Sequence, residues 1–271
     1  MARLFGTDGI RGVANENLSC ELALHAGQAA AEILTETTNH RPMLLIGKDT
    51  RISSDMFEAA LAAGICSVGG DVTLLGTVPT PAVAYLTKKL GADAGIMISA
   101  SHNPYEHNGI KIFNSEGYKL SDELEDRIEA RIKEGSVLRT YDKIGSVRHS
   151  KTALEMYIDH IAGAIKSDLK GLRILVDCAN GSASVTAKAI FERFKAETEI
   201  IYDSPNGVNI NLNCGSTHLE NLSKLVVAGG YDVGIAFDGD ADRCLVVNEK
   251  GETVDGDHIM AVCGIHMKKA G

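Results

Sequence analysis

Three carboxylates stand at alternate positions in Asp238-Gly239-Asp240-Ala241-Asp242, directly after the apolar run Val233–Phe237. Like charges this close repel one another, and a hard divalent cation relieves the repulsion. Mg²⁺ suits a site that leaves room for phosphate oxygens. A calcium EF-hand is the obvious rival, since Glu249 falls at the twelfth loop position. Arg243, however, stands where that loop needs glycine, and Cys244–Val247 reads as a strand rather than an incoming helix.

A second loop, Ser99-Ala100-Ser101-His102-Asn103-Pro104, breaks abruptly from the apolar run Gly95–Ile98. The two loops are in register. Gly91, Asp93, Gly95 and Ile96 match Gly230, Asp232, Gly234 and Ile235, which sets Ser99 on Asp238, Ser101 on Asp240 and Asn103 on Asp242. One copy offers hydroxyls and the other carboxylates. Ser101 is a candidate nucleophile or phosphate carrier. His102 follows directly, but no G-x-S-x-G elbow is present, and adjacent residues on extended chain point apart. A phosphoserine fits better than a hydrolase triad, and its charge would need a metal and cationic donors. Arg11, Lys48, Arg51, His102, Lys111 and Arg243 all lie in or near turn-rich motifs that offer such donors. Arg11 sits in Phe5-Gly6-Thr7-Asp8-Gly9-Ile10-Arg11-Gly12, which reads as a specified loop, and its guanidinium could grip phosphate in a fork. No P-loop and no dinucleotide-binding glycine motif occurs, which argues against nucleotide and NAD chemistry.

The elements that must position these loops repeat as well. Met43–Gly47 resembles Arg173–Asp177, Asp71–Leu75 resembles Glu197–Ile201, and an Ala-rich helical pattern follows the first strand of each pair. The expected fold is therefore α/β, with tandem three-layer α/β/α domains, mixed sheets and a duplicated topology. Small polar groups at strand tips lie where open α/β sheets bind ligands. Ser19 predicts a helix over 20–36, Ser53 or Ser54 one that stops at Gly69-Gly70, Pro79-Thr80-Pro81 a helix start, and Ser121 one that stops at Gly135. Residues 136–150 read as a linker, and a helix is expected over 153–165. The division is 1–152, 153–254 and 255–271, the last being a lone helix that points to a truncated third domain.

The net charge of −9 argues against nucleic acid as a partner, and no stretch approaches a membrane span. The N-terminus has no signal-peptide layout, and the six scattered cysteines read as free thiols in a reducing cytoplasm. Ile259, Met260, Val262 and Ile265 would form an apolar stripe on the end helix, which makes a homodimer the expected association.

Together FGTDGIRG (5–12), GKDTR (47–51), ISASHNP (98–104), NGIK (108–111) and DGDADR (238–243) strongly resemble the α-D-phosphohexomutase superfamily. FGTDGIRG is most similar to its bacterial phosphoglucosamine mutase branch, with the phosphomannomutase/phosphoglucomutase branch the alternative. The resemblance implies an enzyme that interconverts a hexose 6-phosphate and 1-phosphate through a phosphoserine and a bisphosphate. Its partner is a small-molecule sugar phosphate. For the glucosamine branch the product feeds UDP-N-acetylglucosamine and peptidoglycan. It implies Ser101 as the phosphoserine, with Asp238, Asp240 and Asp242 holding Mg²⁺ against it. Lys111 and Arg11 would serve acid/base work and phosphoryl stabilisation, and His102 would orient the phosphate. Arg243, Lys48, Arg51 and Asn103 would bind phosphate. The E-x-S-G loop and the phosphate-clamping loop of later domains are absent, so the expectation is little or no turnover by this chain alone. A non-enzymatic metal- or phosphate-binding module remains the alternative from another class.

Overall fold

The computed structural model describes residues 3–165 and 168–270. In chain order the first part holds β1 (Ile10–Val13), α1 (Cys20–Leu34), β2 (Met43–Lys48), α2 (Ser54–Ser67), β3 (Asp71–Thr77), α3 (Thr80–Leu90), β4 (Ala94–Ile98), β5 (His107–Asn114), α4 (Asp122–Glu134) and β6 (Val147–His149). The second holds α5 (Ala153–Gly163), β7 (Arg173–Asp177), α6 (Ala187–Arg193), β8 (Glu197–Ile201), α7 (Glu220–Gly229), β9 (Val233–Phe237), β10 (Cys244–Asn248) and β11 (Thr253–Val254), followed by α8 (Gly256–Ala270).

The two sheets run β1-β5-β4-β2-β3-β6 and β11-β10-β9-β7-β8. Their centres are copies of one plan. β4 lies between parallel β2 and antiparallel β5, and β9 lies between parallel β7 and antiparallel β10. The duplication read from the sequence is therefore a duplication of topology. Alternating side chains feed two cores across each sheet. Leu44, Ile46, Ile96 and Ile98 pack under α1, α2 and α4, while Leu45 and Met97 face α3 and α5. In the second sheet Ile174 and Val176 face α6, and Leu175 and Ala236 face α7.

Local capping follows the sequence. The Ser19 hydroxyl accepts from Leu22 N at 3.1 Å, and the Ser121 hydroxyl accepts from Leu124 N at 3.4 Å. Two segments differ from expectation. Part of the N-terminal motif is a strand, β1, because Ile10 is buried against β5. The segment expected as a linker doubles back as a strap over the end of α2, with Gly145 N on Cys66 O, and adds β6 to the first sheet. Helix α8 exposes Met260, Val262 and Ile265, as its pattern implies. Among the described residues no helix is long and apolar enough to cross a membrane. All six cysteines are free; Cys66, Cys178 and Cys214 are buried, and Cys244 and Cys263 are exposed.

Candidate functional site

The turn after β4 and the turn after β9 meet at the carboxyl ends of the two sheets. The Ser101 hydroxyl donates to Asp238 Oδ2 at 2.6 Å, although 137 residues separate them. The backbone is shaped for this contact. Ser101 holds φ of 55°, a left-handed conformation that L-residues enter at a cost. The Ser101 carbonyl accepts from Arg51 at 2.8 Å and from Asn211 at 2.9 Å, and the same two side chains hold the Asn103 carbonyl. Gly239 has no side chain for a reason: a Cβ there would lie 2.7 Å from the Ser101 carbonyl oxygen.

Oxygens of Asp238, Asp240 and Asp242 lie within 4.8 Å of one another. Lys111, reaching across from β5, places Nζ 2.6 Å from Asp240 Oδ2 and 3.2 Å from Asp242 Oδ2. Thr80, opening α3, donates its N–H to the Asp240 carbonyl and its hydroxyl to Asp240 Oδ2 at 2.5 Å. Asp240 Oδ1 is buried with no hydrogen-bond partner. A buried carboxylate oxygen without a donor is costly, and an all-oxygen set of three carboxylates is the chemistry that a hard divalent cation takes. The residues fit a metal.

Burial, then the charge of Asp240, pushes the Asp238 carboxyl up to about 6, while the Ser101 hydroxyl pulls the other way. Burial would raise Asp240 too, but the Lys111 ammonium and the Thr80 hydroxyl outweigh it and hold the group below its ordinary value. For Lys111 burial disfavours the ammonium, and Asp240 and Asp242 more than offset it, so its pKa is raised. Burial, then the Arg243 and Arg11 charges, lowers His102. Its Nδ1 lies 3.0 Å from the Arg243 guanidinium.

Ser101, His102, Lys111, Asp238, Asp240, Asp242 and Arg243 are thus brought to one place. Arg11 lies beside them on β1, opposite Gly109, paired to Asp8 at 3.1 Å with its Nε buried and unpartnered. The other three phosphate-binding candidates, Lys48, Arg51 and Asn103, make other contacts in this structure. Lys48 stands at the same sheet end but spends its ammonium on Glu58 and Asp55 of α2, at 2.5 and 2.6 Å. Arg51 is fully buried with Asp49 and turns its fork to the carbonyls of Ser101, Asn103 and Pro104. It supports the serine loop from behind. Asn103 contributes its carbonyl to that clamp, and its side-chain amide makes no hydrogen bond among the described residues.

Sequence reasoning missed Asn211, Thr80 and Asp177. Asn211 and Thr80 each act on a loop of the other half of the chain, which no local pattern reveals. Asp177, buried at the end of β7, accepts from Ala179 N and Gly215 N, both at 2.8 Å. Burial pushes its carboxyl up to about 6, so at neutral pH it is ionised and accepts through both oxygens. These bonds brace the loops that carry Asn180 and lead to Ser216, whose N–H meets the end of β9 at Phe237. Asp177→Asn puts an N–H₂ against one of those donors, and the expected loss of stability is about 1–3 kcal/mol by urea unfolding at pH 7. A loss too small to measure would mean that the brace is dispensable.

The chain matches the profile of phosphoglucomutase/phosphomannomutase, alpha/beta/alpha domain I, over residues 2–139, and that of domain II over residues 155–251. It is 56% identical to a phosphoglucosamine mutase of Acetivibrio thermocellus, covering 100% of this chain and 61% of that protein. It is 55% identical to that of Clostridium novyi, with the same coverage. The chain therefore spans about 61% of the length of these curated relatives. Among solved structures it resembles a phosphoglucomutase/phosphomannomutase family protein from Burkholderia thailandensis, with a TM-score of 0.82 and 27% identity, over 94% of this chain and 56% of that one. The fold alone is shared with a phosphoglucomutase from Paramecium, at a TM-score of 0.70 and 18% identity, over 92% of this chain and 53% of that one. By both profiles, and by the paired serine and aspartate loops, the chain belongs to the phosphoglucomutase/phosphomannomutase family and carries its domains I and II.

Proposed function

We propose that the chain is the phosphoryl-carrying half of a phosphoglucosamine mutase, which interconverts glucosamine 6-phosphate and glucosamine 1-phosphate through a bisphosphate. One observation carries the reading: the Ser101 hydroxyl lies 2.6 Å from Asp238, joining a phosphate-accepting serine to a cluster of three carboxylates. The name of the relatives at 56% and 55% identity supports glucosamine over mannose or glucose. The proposed division is 1–152 for the serine domain, 153–254 for the carboxylate domain and 255–271 for the opening helix of a third. The proposed setting is the cytoplasm.

In this reading Ser101 Oγ is the phosphoryl carrier. A sugar hydroxyl oxygen forms its bond to phosphorus as the bond to Ser101 Oγ breaks, and the proton released from the sugar hydroxyl is balanced by the one that the serine oxygen takes up. Lys111 is held as an ammonium by Asp240 and Asp242, which suits it to stabilise the leaving oxygen by its positive charge rather than to act as a base. His102, Arg243 and Arg11 supply donors to phosphate oxygens on the solvent side. Asp238, Asp240 and Asp242 would hold Mg²⁺, which offsets the negative charge of the phosphoryl group. A groove of about 290 Å³, lined by His102, Tyr105, Asn211 and His218, adjoins the serine loop.

Intact-mass measurement tests the assignment. Protein treated with glucosamine 1,6-bisphosphate and Mg²⁺ is expected to carry one phosphate-sized increment that maps to Ser101 and is lost in Ser101→Ala. Protein that never takes up phosphate, or takes it up elsewhere, would overturn the reading.

A further inference from the structure

A cavity of about 670 Å³ lies at the opposite end of the first sheet, lined by Glu32, Glu36, Arg41, Arg131, Arg139 and Lys143, with Val68, Gly69 and Val137 among its walls. Its position follows from strand direction. Pro42 and Gly70 immediately precede β2 and β3, whereas the serine loop follows the end of the parallel strand β4. Six residues of strand at about 3.3 Å each separate the two ends by roughly 20 Å.

The charges do not balance. Four cations line the cavity against two carboxylates, in a chain whose net charge is −9. Both carboxylates already have partners, since Glu32 pairs with Arg131 at 3.2 Å and Glu36 pairs with Arg127. Arg41 is spent on the carbonyls of Asp142 and Ile144 and on Asp71. Arg139 and Lys143 have no ion-pair partner among the described residues. Arg131 Nε is buried without a hydrogen bond, 4.0 Å from the Glu134 carboxylate, while the rest of its guanidinium pairs with Glu32. Converging cations repel one another, and a buried guanidinium N–H without an acceptor loses its hydration uncompensated. Both costs vanish when a polyanion is seated among them.

The strap that brings Arg139 and Lys143 there is fixed rather than incidental. Arg139 N donates to Ser67 O at 2.8 Å, and Gly145 packs so closely on Gly70 that a Cβ would lie 1.8 Å from its carbonyl oxygen. Gly69, at φ of 97°, likewise leaves room for the Lys143 carbonyl.

We propose that this cavity is a second anion site, separate from the serine loop, for a small oligophosphate. Guanidinium forks and an ammonium converging from three segments match several phosphate oxygens better than one carboxylate. The test is amide chemical-shift titration of the ¹⁵N-labelled chain with inorganic pyrophosphate, in which Gly69, Gly70 and Val137 report this cavity and Ser101 and Gly239 report the other site. Saturable shifts at Gly69, Gly70 and Val137 are expected. In Arg139→Ala/Lys143→Ala the dissociation constant read there should rise at least about tenfold, with shifts at Ser101 and Gly239 unchanged. Both side chains are exposed, so the fold is expected to persist, and Arg139→Lys/Lys143→Arg should retain binding. A parallel titration with ADP separates the sources: tighter binding than pyrophosphate assigns a nucleotide, and equal binding assigns the phosphates alone. No saturable shift at these amides, or the same constant in the alanine double variant, would overturn the proposal.

Discussion

Arg51→Ala is expected to cost about 3–5 kcal/mol of stability, the range for removing one partner of a buried ion pair. The side chains of Arg51 and Asp49 are both wholly buried, 2.8 Å apart, so solvent does not soften the loss. The Asp49 carboxylate would keep only the residue 51 N–H and the Ser54 hydroxyl, and the Pro104 carbonyl would lose the nearer of its two donors, at 2.5 Å, keeping the His107 N–H. A domain stable by the usual 5–15 kcal/mol would be near its threshold. Arg51→Lys should recover only part, because one ammonium cannot replace a fork spread over Asp49 and three carbonyls. Urea unfolding of the three proteins measures this, and a loss under about 1 kcal/mol for alanine would show that the loop holds itself.

Asp240→Asn is expected to weaken divalent-cation binding by on the order of 100-fold or more, and to slow Ser101 phosphorylation with it. Asp240 is the buried centre of the cluster. It takes Thr80 from α3 and Lys111 from β5, and its Oδ1 has no other partner. An amide there brings donors against Lys111 and offers one neutral oxygen where a cation needs charge. Asp242→Asn should have the smaller effect, since that side chain is 32% exposed. Isothermal titration with Mg²⁺ orders the two. Equal affinities for wild type and Asp240→Asn would remove Asp240 from the metal set.

The centre of the site was legible because the chain writes it twice. Gly91–Ser101 and Gly230–Asp240 align in register, and the structure turns that register into β4 and β9 with their loops face to face. What stayed hidden depends on where a side chain ends. Arg51 in Lys-Asp-Thr-Arg has the same sequence signature whether its fork meets phosphate or main-chain carbonyls, and only burial decides. Asn211 acts on a carbonyl 110 residues away. β6 was invisible for another reason: its three residues are all exposed, so no alternation marks them as a strand. Lys48 was legible as a cation at a strand end, but its pairing with Glu58, one turn into α2, is tertiary information.

The most direct measurement of the central claim, that the serine loop and the carboxylate loop are two halves of one phosphoryl site, is the ³¹P resonance of phosphorylated Ser101 titrated with Mn²⁺ as a paramagnetic stand-in for Mg²⁺. Substoichiometric Mn²⁺ is expected to broaden that resonance beyond detection in the wild-type chain and to leave it sharp in Asp238→Asn/Asp240→Asn. A phosphoserine signal that stays sharp while Mn²⁺ binds the wild-type protein, or one that broadens equally without the carboxylates, would contradict it.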